Sequence, residues 1–302
     1  MEKTNDDFTH VTADTTVSSI INNYAFNGFG QFLFPIKNCI DEYDPNMCIG
    51  DIDSLLPYHR NIDVNTTVNV INYLLDEVKS GKTIFYIFYS DTQRQNDKNK
   101  ESTGLFFFKG NPGAPFAVIC AGGGFSYVGS IHESFPYAIE LSKKGYNAFT
   151  IEYRVGCGER AATEDLAAAL SFIFRNAAEL EVSVNNYSVW GASAGAKMAA
   201  NIGSNGVQAY GGDNIQKPSV VIMQYGHSDY TENDPPTFAV VGEEDPFTSF
   251  MKQRINNLRN IGIDTEFYIY RNVSHGFGLG IGTSAEGWIN NAVKFWEKHI
   301  LY

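Results

Sequence analysis

The stretch Gly191-Ala192-Ser193-Ala194-Gly195 sets a serine between two glycines, after the apolar run Tyr187–Trp190 and before the helix-like Ala196–Ala200. A strand that turns sharply into a helix at a serine lifts the hydroxyl above the sheet. It also aims the helix N-terminus, with its free N–H groups, at developing negative charge. A serine hydroxyl is a weak nucleophile near neutral pH, so it needs a general base and a group to orient that base. Both follow downstream. Thr237–Val241 reads as a strand and opens into Gly242-Glu243-Glu244-Asp245-Pro246, while Phe267–Tyr270 leads into Arg271-Asn272-Val273-Ser274-His275-Gly276. The C-terminal ends of parallel strands are where an open sheet gathers its site. His275 is therefore the candidate base and Asp245 the candidate acid. Asp245 is preferred over Glu243 and Glu244 because the following proline fixes a loop rather than a helix. The other histidines, His10, His59, His132, His227 and His299, read as surface or satisfied structural residues. A third element, Cys120-Ala121-Gly122-Gly123-Gly124-Phe125, follows the strand-like Phe116–Cys120. Glycines let a backbone approach a ligand closely, so the N–H groups of Gly123 and Gly124, with that of Ala194, would hold an oxyanion. Together these residues describe acyl transfer through a serine.

The rest of the chain must hold those loops in place. From about residue 81 the sequence alternates apolar strands with amphipathic helices. Strand-like runs are Thr83–Tyr89, Gly104–Phe108, Phe116–Cys120, Ala148–Tyr153, Tyr187–Trp190, Val220–Gln224, Thr237–Val241 and Thr265–Tyr270. Helical runs are Phe135–Lys144, Thr163–Glu181, the helix after Ser193, Phe250–Asn260 and Ala285–His299. Such alternation implies a mainly parallel sheet covered on both faces. The polar segment Asn96–Glu101 reads as a solvated loop. Residues 1–80 lack this rhythm and hold an aromatic cluster (Tyr24, Phe26, Phe29, Phe32, Phe34) and one helix, Val68–Val78. They are expected to form an N-terminal extension packed on the main body, with Phe26–Phe34 and Leu55–His59 either narrowing the entrance to the site or packing on a remote face for stability alone. Residues 81–302 would be the catalytic domain.

Composition narrows the class. At 302 residues, with 43% hydrophobic and 14% aromatic residues, the chain can bury a large core. Its net charge of −12 argues against nucleic acid and against anionic membrane surfaces. The acidic, polar start Met1–Asp7 has no apolar run behind it, and no segment approaches a membrane span, so a cytoplasmic protein is expected. Cys39, Cys48, Cys120 and Cys157 are scattered without ligand-like spacing, and neither a disulfide framework nor a metal site is expected.

Taken together, the glycine loop, Glu152-Tyr153-Arg154, Glu164-Asp165-Leu166, Gly191–Gly195, Gly242–Pro246 and His275-Gly276 resemble the α/β-hydrolase-fold esterases related to bacterial acetyl-xylan and acetyl-sugar esterases. The resemblance runs from about Phe106 to the C-terminus and implies an α/β-hydrolase fold with Ser193, Asp245 and His275 as triad. It also implies an oxyanion loop at Gly123 and Gly124, and a structural ion pair between Arg154 and Asp165. The departures are Ala121, where the family usually has proline or histidine, and Ala196-Lys197, where relatives often carry glycine and histidine. The expectation is a cofactor-free serine carboxylesterase acting on short acetyl esters of sugars or oligosaccharides. Phe125, Tyr127, Tyr225 and Tyr230 are candidate stacking surfaces, and the chain is left free to form a homo-oligomer. Two other readings remain open, a prolyl-oligopeptidase-like peptidase and a catalytically silent binding protein. The absence of a propeller sequence ahead of the hydrolase weighs against the first, and the retained triad against the second.

Overall fold

The computed structural model describes residues 9–35 and 44–300; Cys39 and the acidic start Met1–Asp7 lie outside them. Its strands are β1 (Phe85–Tyr86), β2 (Gly104–Phe108), β3 (Pro115–Cys120), β4 (Asn147–Glu152), β5 (Ser183–Ala192), β6 (Val220–Gln224), β7 (Thr237–Gly242) and β8 (Thr265–Tyr270). The helices are α1 (Val17–Ile21), α2 (Val64–Lys79), α3 (Asp91–Asn96), α4 (Ser134–Lys143), α5 (Gly158–Arg175), α6 (Ala177–Leu180), α7 (Ala194–Asn205), α8 (Thr248–Asn260) and α9 (Trp288–Lys298).

The strands form one sheet in the order β1-β2-β4-β3-β5-β6-β7-β8. β3 to β8 run parallel, and β2 and β1 are added antiparallel at one edge. β2, β4, β6 and β7 are buried along their whole length, as continuous apolar runs require when both faces are covered. β8 is the opposite edge and is only half-buried, with Tyr268 and Ile269 exposed. α5 and α7 pack together on one face, and Tyr137 of α4 meets Trp288 of α9 edge-on at 5.3 Å on the other. No helix among the described residues is long and apolar enough to cross a membrane.

The sheet order reverses at β3. The chain leaves β3 for β4 on one side and later returns to β5 on the other, with Cys120 in register with Gly191. The loops leaving β3 and β5 therefore diverge from neighbouring points, the crevice that such a switch creates. At the far side, Gly242 at the end of β7 is in register with Tyr270 at the end of β8. Four strand ends thus carry the four candidate loops.

Local chemistry shifts several boundaries from their expected positions. Only Phe85–Tyr86 of the expected strand Thr83–Tyr89 pairs, because Ser90 and Gln93 form a reciprocal capping box that starts α3. The segment expected as a solvated loop, Asn96–Glu101, instead runs into a 3-10 helix, Lys98–Ser102, and Asp97 within it reaches Arg154 at 2.9 Å. α2 begins at Val64 because the Asp63 carboxylate accepts the Thr66 N–H at 2.8 Å. The expected helix Thr163–Glu181 is two helices broken at Asn176, and Glu181 closes the second in a left-handed conformation.

The N-terminal residues join the core at several places, among them Tyr73 of α2, which stacks on Phe108 of β2 at 5.8 Å. Phe29 and Phe32 stack on Phe85 of β1, at 5.1 and 5.3 Å, so the aromatic cluster covers the antiparallel edge of the sheet. Within the stretch Phe26–Phe34, it is Phe29 and Phe32 that pack on this edge. Leu55–His59 does run to the site: Tyr58 stacks on Tyr127 at 5.6 Å, just beyond the glycine loop.

Candidate active site

Ser193 sits between β5 and α7 with φ 52° and ψ −114°, a strained conformation that a tight turn imposes on a non-glycine residue. The turn is possible because its flanks carry no side chain. A Cβ on Gly191 would lie 2.1 Å from the Gly195 carbonyl oxygen, and one on Gly195 would lie 2.0 Å from that of Cys120. Both obstacles are backbone, which cannot move aside cheaply. The Ser193 N–H donates to the Gln224 carbonyl at 2.9 Å, tying the turn to the end of β6.

From this turn a row of hydrogen bonds crosses the loops. Ser193 Oγ lies 2.9 Å from His275 Nε2, and His275 Nδ1 lies 2.7 Å from Asp245 Oδ2. The partners assign the tautomer: Nδ1–H donates to the carboxylate, leaving Nε2 to accept from the hydroxyl. The Asp245 side chain is fully buried, and its other oxygen accepts the Phe247 N–H at 2.7 Å. Glu243 and Glu244 are exposed. The imidazole is flanked by Tyr225 at 4.8 Å and by Phe247, edge-on, at 5.4 Å between ring centres. It keeps 20% of its side chain exposed, so a ligand can reach it.

The glycine loop is oriented by its own carbonyls. The Gly122 carbonyl accepts from the Gly129 N–H at 2.9 Å, and the Gly123 carbonyl from Ser126 N–H at 3.0 Å. In a trans peptide the N–H of the next residue points opposite to the carbonyl. The N–H groups of Gly123 and Gly124 are consequently turned away from residues 126–129, and among the described residues neither finds an acceptor. Ser193 is close by, since a Cβ on Gly122 would lie 2.7 Å from the Ser193 Cβ. Ala194, in the first turn of α7, has an N–H that the helix itself cannot satisfy.

The candidate stacking residues fare differently. Phe125 is half-buried and meets Tyr153 edge-on at 6.2 Å. Tyr127 is 7% exposed, covered by the Tyr58 ring, and its hydroxyl is held by Tyr58 N–H and His59 Nδ1. It is a support rather than a platform, and the ring with a free face is Tyr58, 52% exposed. Tyr225 is also fully buried, whereas Tyr230 is exposed. The Arg154–Asp165 pair is present, Nε to Oδ1 at 2.8 Å, and is joined by the Tyr89 hydroxyl at 2.6 Å.

A polar cavity of about 380 Å³ opens beside α7, lined by Lys197, Asn201, His227, Asp229, Tyr230 and Phe250 among others. It adjoins the imidazole through two rings, since His227 stacks on Phe247 at 5.2 Å and Phe247 touches His275. His227 Nδ1 is buried without a partner among the described residues.

Reasoning from sequence missed Glu133 and His59, which lie behind the glycine loop. Glu133 is wholly buried and accepts from the Gly122 N–H, from the Tyr225 hydroxyl at 2.6 Å and from His59 Nε2 at 3.1 Å. Burial alone would push its pKa up, but His59 and the Tyr225 hydrogen bond outweigh burial and hold it at about 2. Nothing in the spacing marks this acid; its one signal is a glutamate nine residues after the glycines, in an otherwise apolar and small-residue stretch.

An eight-stranded, mostly parallel sheet with helices on both faces and a serine at the turn after its central strand defines an α/β hydrolase. The profile of the BD-FAE family matches residues 108–234, less than half of the chain. An acetylxylan esterase of Xylanibacter ruminicola is 22% identical over 208 residues, which cover 58% of this chain and 43% of that protein. The chain therefore spans less than half the length of that curated relative. Among solved structures, an acetyl ester-xyloside bifunctional hydrolase of Caldicellulosiruptor lactoaceticus superposes with a TM-score of 0.57 at 19% identity, covering 65% of this chain and 88% of that one. The carboxylesterase Cest-2923 of Lactobacillus plantarum gives 0.58 at 17% identity, covering 66% and 94%. The chain thus has the α/β-hydrolase fold and resembles acetylxylan esterases and other carboxylesterases.

Proposed function

We propose that the protein is a serine carboxylesterase that removes short acyl groups, acetyl above all, from polyhydroxylated alcohols of the sugar class. The observation that carries the reading is the unbroken row Asp245–His275–Ser193, at 2.7 and 2.9 Å. In this mechanism Ser193 Oγ attacks the ester carbonyl while His275 Nε2 takes its proton, and Asp245 stabilises the imidazolium. The N–H groups of Gly123, Gly124 and Ala194 receive the oxyanion, each worth about 3 kcal/mol of barrier. His275 then protonates the departing alcohol, and water releases the acyl group by the same route.

Two features support the finer reading. The Tyr58 ring lies 3.1 Å from where a Gly124 Cβ would be, and the half-buried Phe125 is the next residue of the loop, which supports a confined acyl side. The polar cavity beyond Phe247 offers donors, acceptors and the exposed rings of Tyr230 and Phe250 to an alcohol rich in hydroxyls. The acetylxylan esterase and the acetyl ester-xyloside hydrolase point the same way.

The test is hydrolysis of p-nitrophenyl esters and of a panel of acetylated sugars. Ser193→Ala and His275→Ala should each lower kcat by roughly 10⁴-fold or more, with the circular dichroism spectrum unchanged. Acetate should exceed butyrate and octanoate in kcat/KM, since a methylene that does not fit costs about 1–3 kcal/mol. Near-normal turnover by Ser193→Ala would overturn the mechanism, and a preference for octanoate would overturn the short-acyl assignment.

A further inference from the structure

Beside Tyr58, the N-terminal residues bring a buried histidine to the glycine loop. His59 is 3% exposed. Its Nε2 faces Glu133 Oε1 at 3.1 Å, and its Nδ1 faces the Tyr127 hydroxyl at 2.8 Å. The Tyr127 oxygen already accepts the Tyr58 N–H at 3.1 Å, so its hydroxyl proton is free for Nδ1, and Nε2–H is left to donate to the carboxylate. The imidazole lies against Gly129, whose N–H anchors the Gly122 carbonyl.

Glu133 completes the arrangement from the other side. Its Oε2 accepts the Gly122 N–H, so that donor of the glycine loop is occupied. Its Oε1 gathers His59 and the Tyr225 hydroxyl, and the Tyr225 ring packs on His275. The next residue of the N-terminal segment, Arg60, donates its N–H to the Gly276 carbonyl at 2.9 Å, directly after His275. The segment Tyr58–Arg60 thus bridges the two loops that must meet across a substrate.

A carboxylate with no water around it is costly unless each oxygen is hydrogen-bonded. Removing one donor would leave Glu133 to find another, and the N–H groups that follow Gly122 along the loop are those of Gly123 and Gly124. Were either to turn toward it, the donor would be lost to the oxyanion.

We propose that Glu133 and His59 are positioning residues. Glu133 holds the Gly122 peptide so that the N–H groups of Gly123 and Gly124 face the reacting carbonyl, and His59, carried in by the N-terminal segment, holds Glu133. This assignment rests on the esterase reading for its kinetic consequence, but its structural content can be read without any substrate.

The experiment compares Glu133→Gln, His59→Ala, His59→Gln and Tyr127→Phe with the full-length parent by two measurements. One is kcat and KM on p-nitrophenyl acetate; the other is hydrogen–deuterium exchange of the peptide covering 121–129. Glu133→Gln and His59→Ala should lower kcat about 10- to 100-fold with KM changed less than threefold, because the loss falls on the transition state. Exchange at 121–129 should rise about tenfold while strand peptides stay protected. His59→Gln, which restores a donor toward Glu133, should recover most of kcat. Should the buried substitutions fail to fold, Tyr127→Phe deletes one hydroxyl and should give the same pattern, weaker. Unchanged exchange at 121–129 with kcat within twofold of the parent would overturn the proposal. Were the parent itself inactive on every ester, the esterase reading would fall, and exchange alone would decide the positioning role.

Discussion

A carboxylate orients a histidine well only when its own rotamer is locked, and Asp245 meets that condition where its neighbours do not. One oxygen accepts the Phe247 N–H, the other the His275 Nδ1–H, and the side chain has no contact with solvent. Glu243 and Glu244 point outward, although their backbone N–H groups fasten the loop to Tyr270 and Val273. Asp245→Asn is therefore expected to lower kcat by about 10²- to 10⁴-fold, since an amide holds the wrong tautomer, whereas Glu244→Gln should stay within twofold. Steady-state kinetics on one ester separates the two, and the reverse order would move the acid to Glu244. The proline that follows Asp245 made this residue stand out in the sequence. Nothing comparable marked Glu133 or His59, because a lone glutamate and a lone histidine acquire meaning only through partners distant along the chain.

At the scale of elements, the strands that are buried on both faces are legible as apolar runs, and so are the turns forced by glycine. What the sequence hides is competition at element ends. Ser90 and Gln93 divert the chain into α3 after two paired residues of β1, and Asp63 starts α2 at Val64, four residues before the expected Val68. The aromatic residues of the N-terminal extension read equally well against any apolar surface. Only the fold shows that Phe29 and Phe32 cover the antiparallel edge while Tyr58 reaches the glycine loop. The elbow gives a direct test of close approach. Gly195→Ala should cost stability by about 3 kcal/mol or more, because its Cβ would meet the Cys120 carbonyl at 2.0 Å. Gly50→Ala, with ordinary contact to the Ala13 carbonyl at 3.5 Å, should be nearly neutral. Thermal melts of both proteins check this, and equal melting temperatures would contradict the packing argument.

Across the whole molecule, two buried groups around the glycine loop make stability depend on acidity in the same direction. Burial, aided by His59, holds the His132 pKa down at about 4, so the folded protein refuses a proton that the unfolded chain accepts from about pH 6.5 downward. Glu133, held at about 2, is ionised in the fold where an ordinary carboxyl near 4.5 would be protonated. The stabilisation from His132 is complete above pH 6.5 and fades toward pH 4; that from Glu133 is complete above pH 4.5 and fades toward pH 2. The melting temperature should hold steady from pH 8 to 7 and fall progressively below 6.5, and a flat profile to pH 4 would contradict these pKa directions. The same region bears on how the protein acquires its shape. Ser193 and His275 are 82 residues apart in the chain, and His132 meets Gly276 across 144, while Arg60 joins that same carbonyl from the N-terminal segment. Closing such long loops costs chain entropy that only a formed sheet can offset. In a refolding experiment, far-UV ellipticity should therefore return ahead of ester turnover, since a chain whose strands have paired has yet to bring its two ends together around the serine.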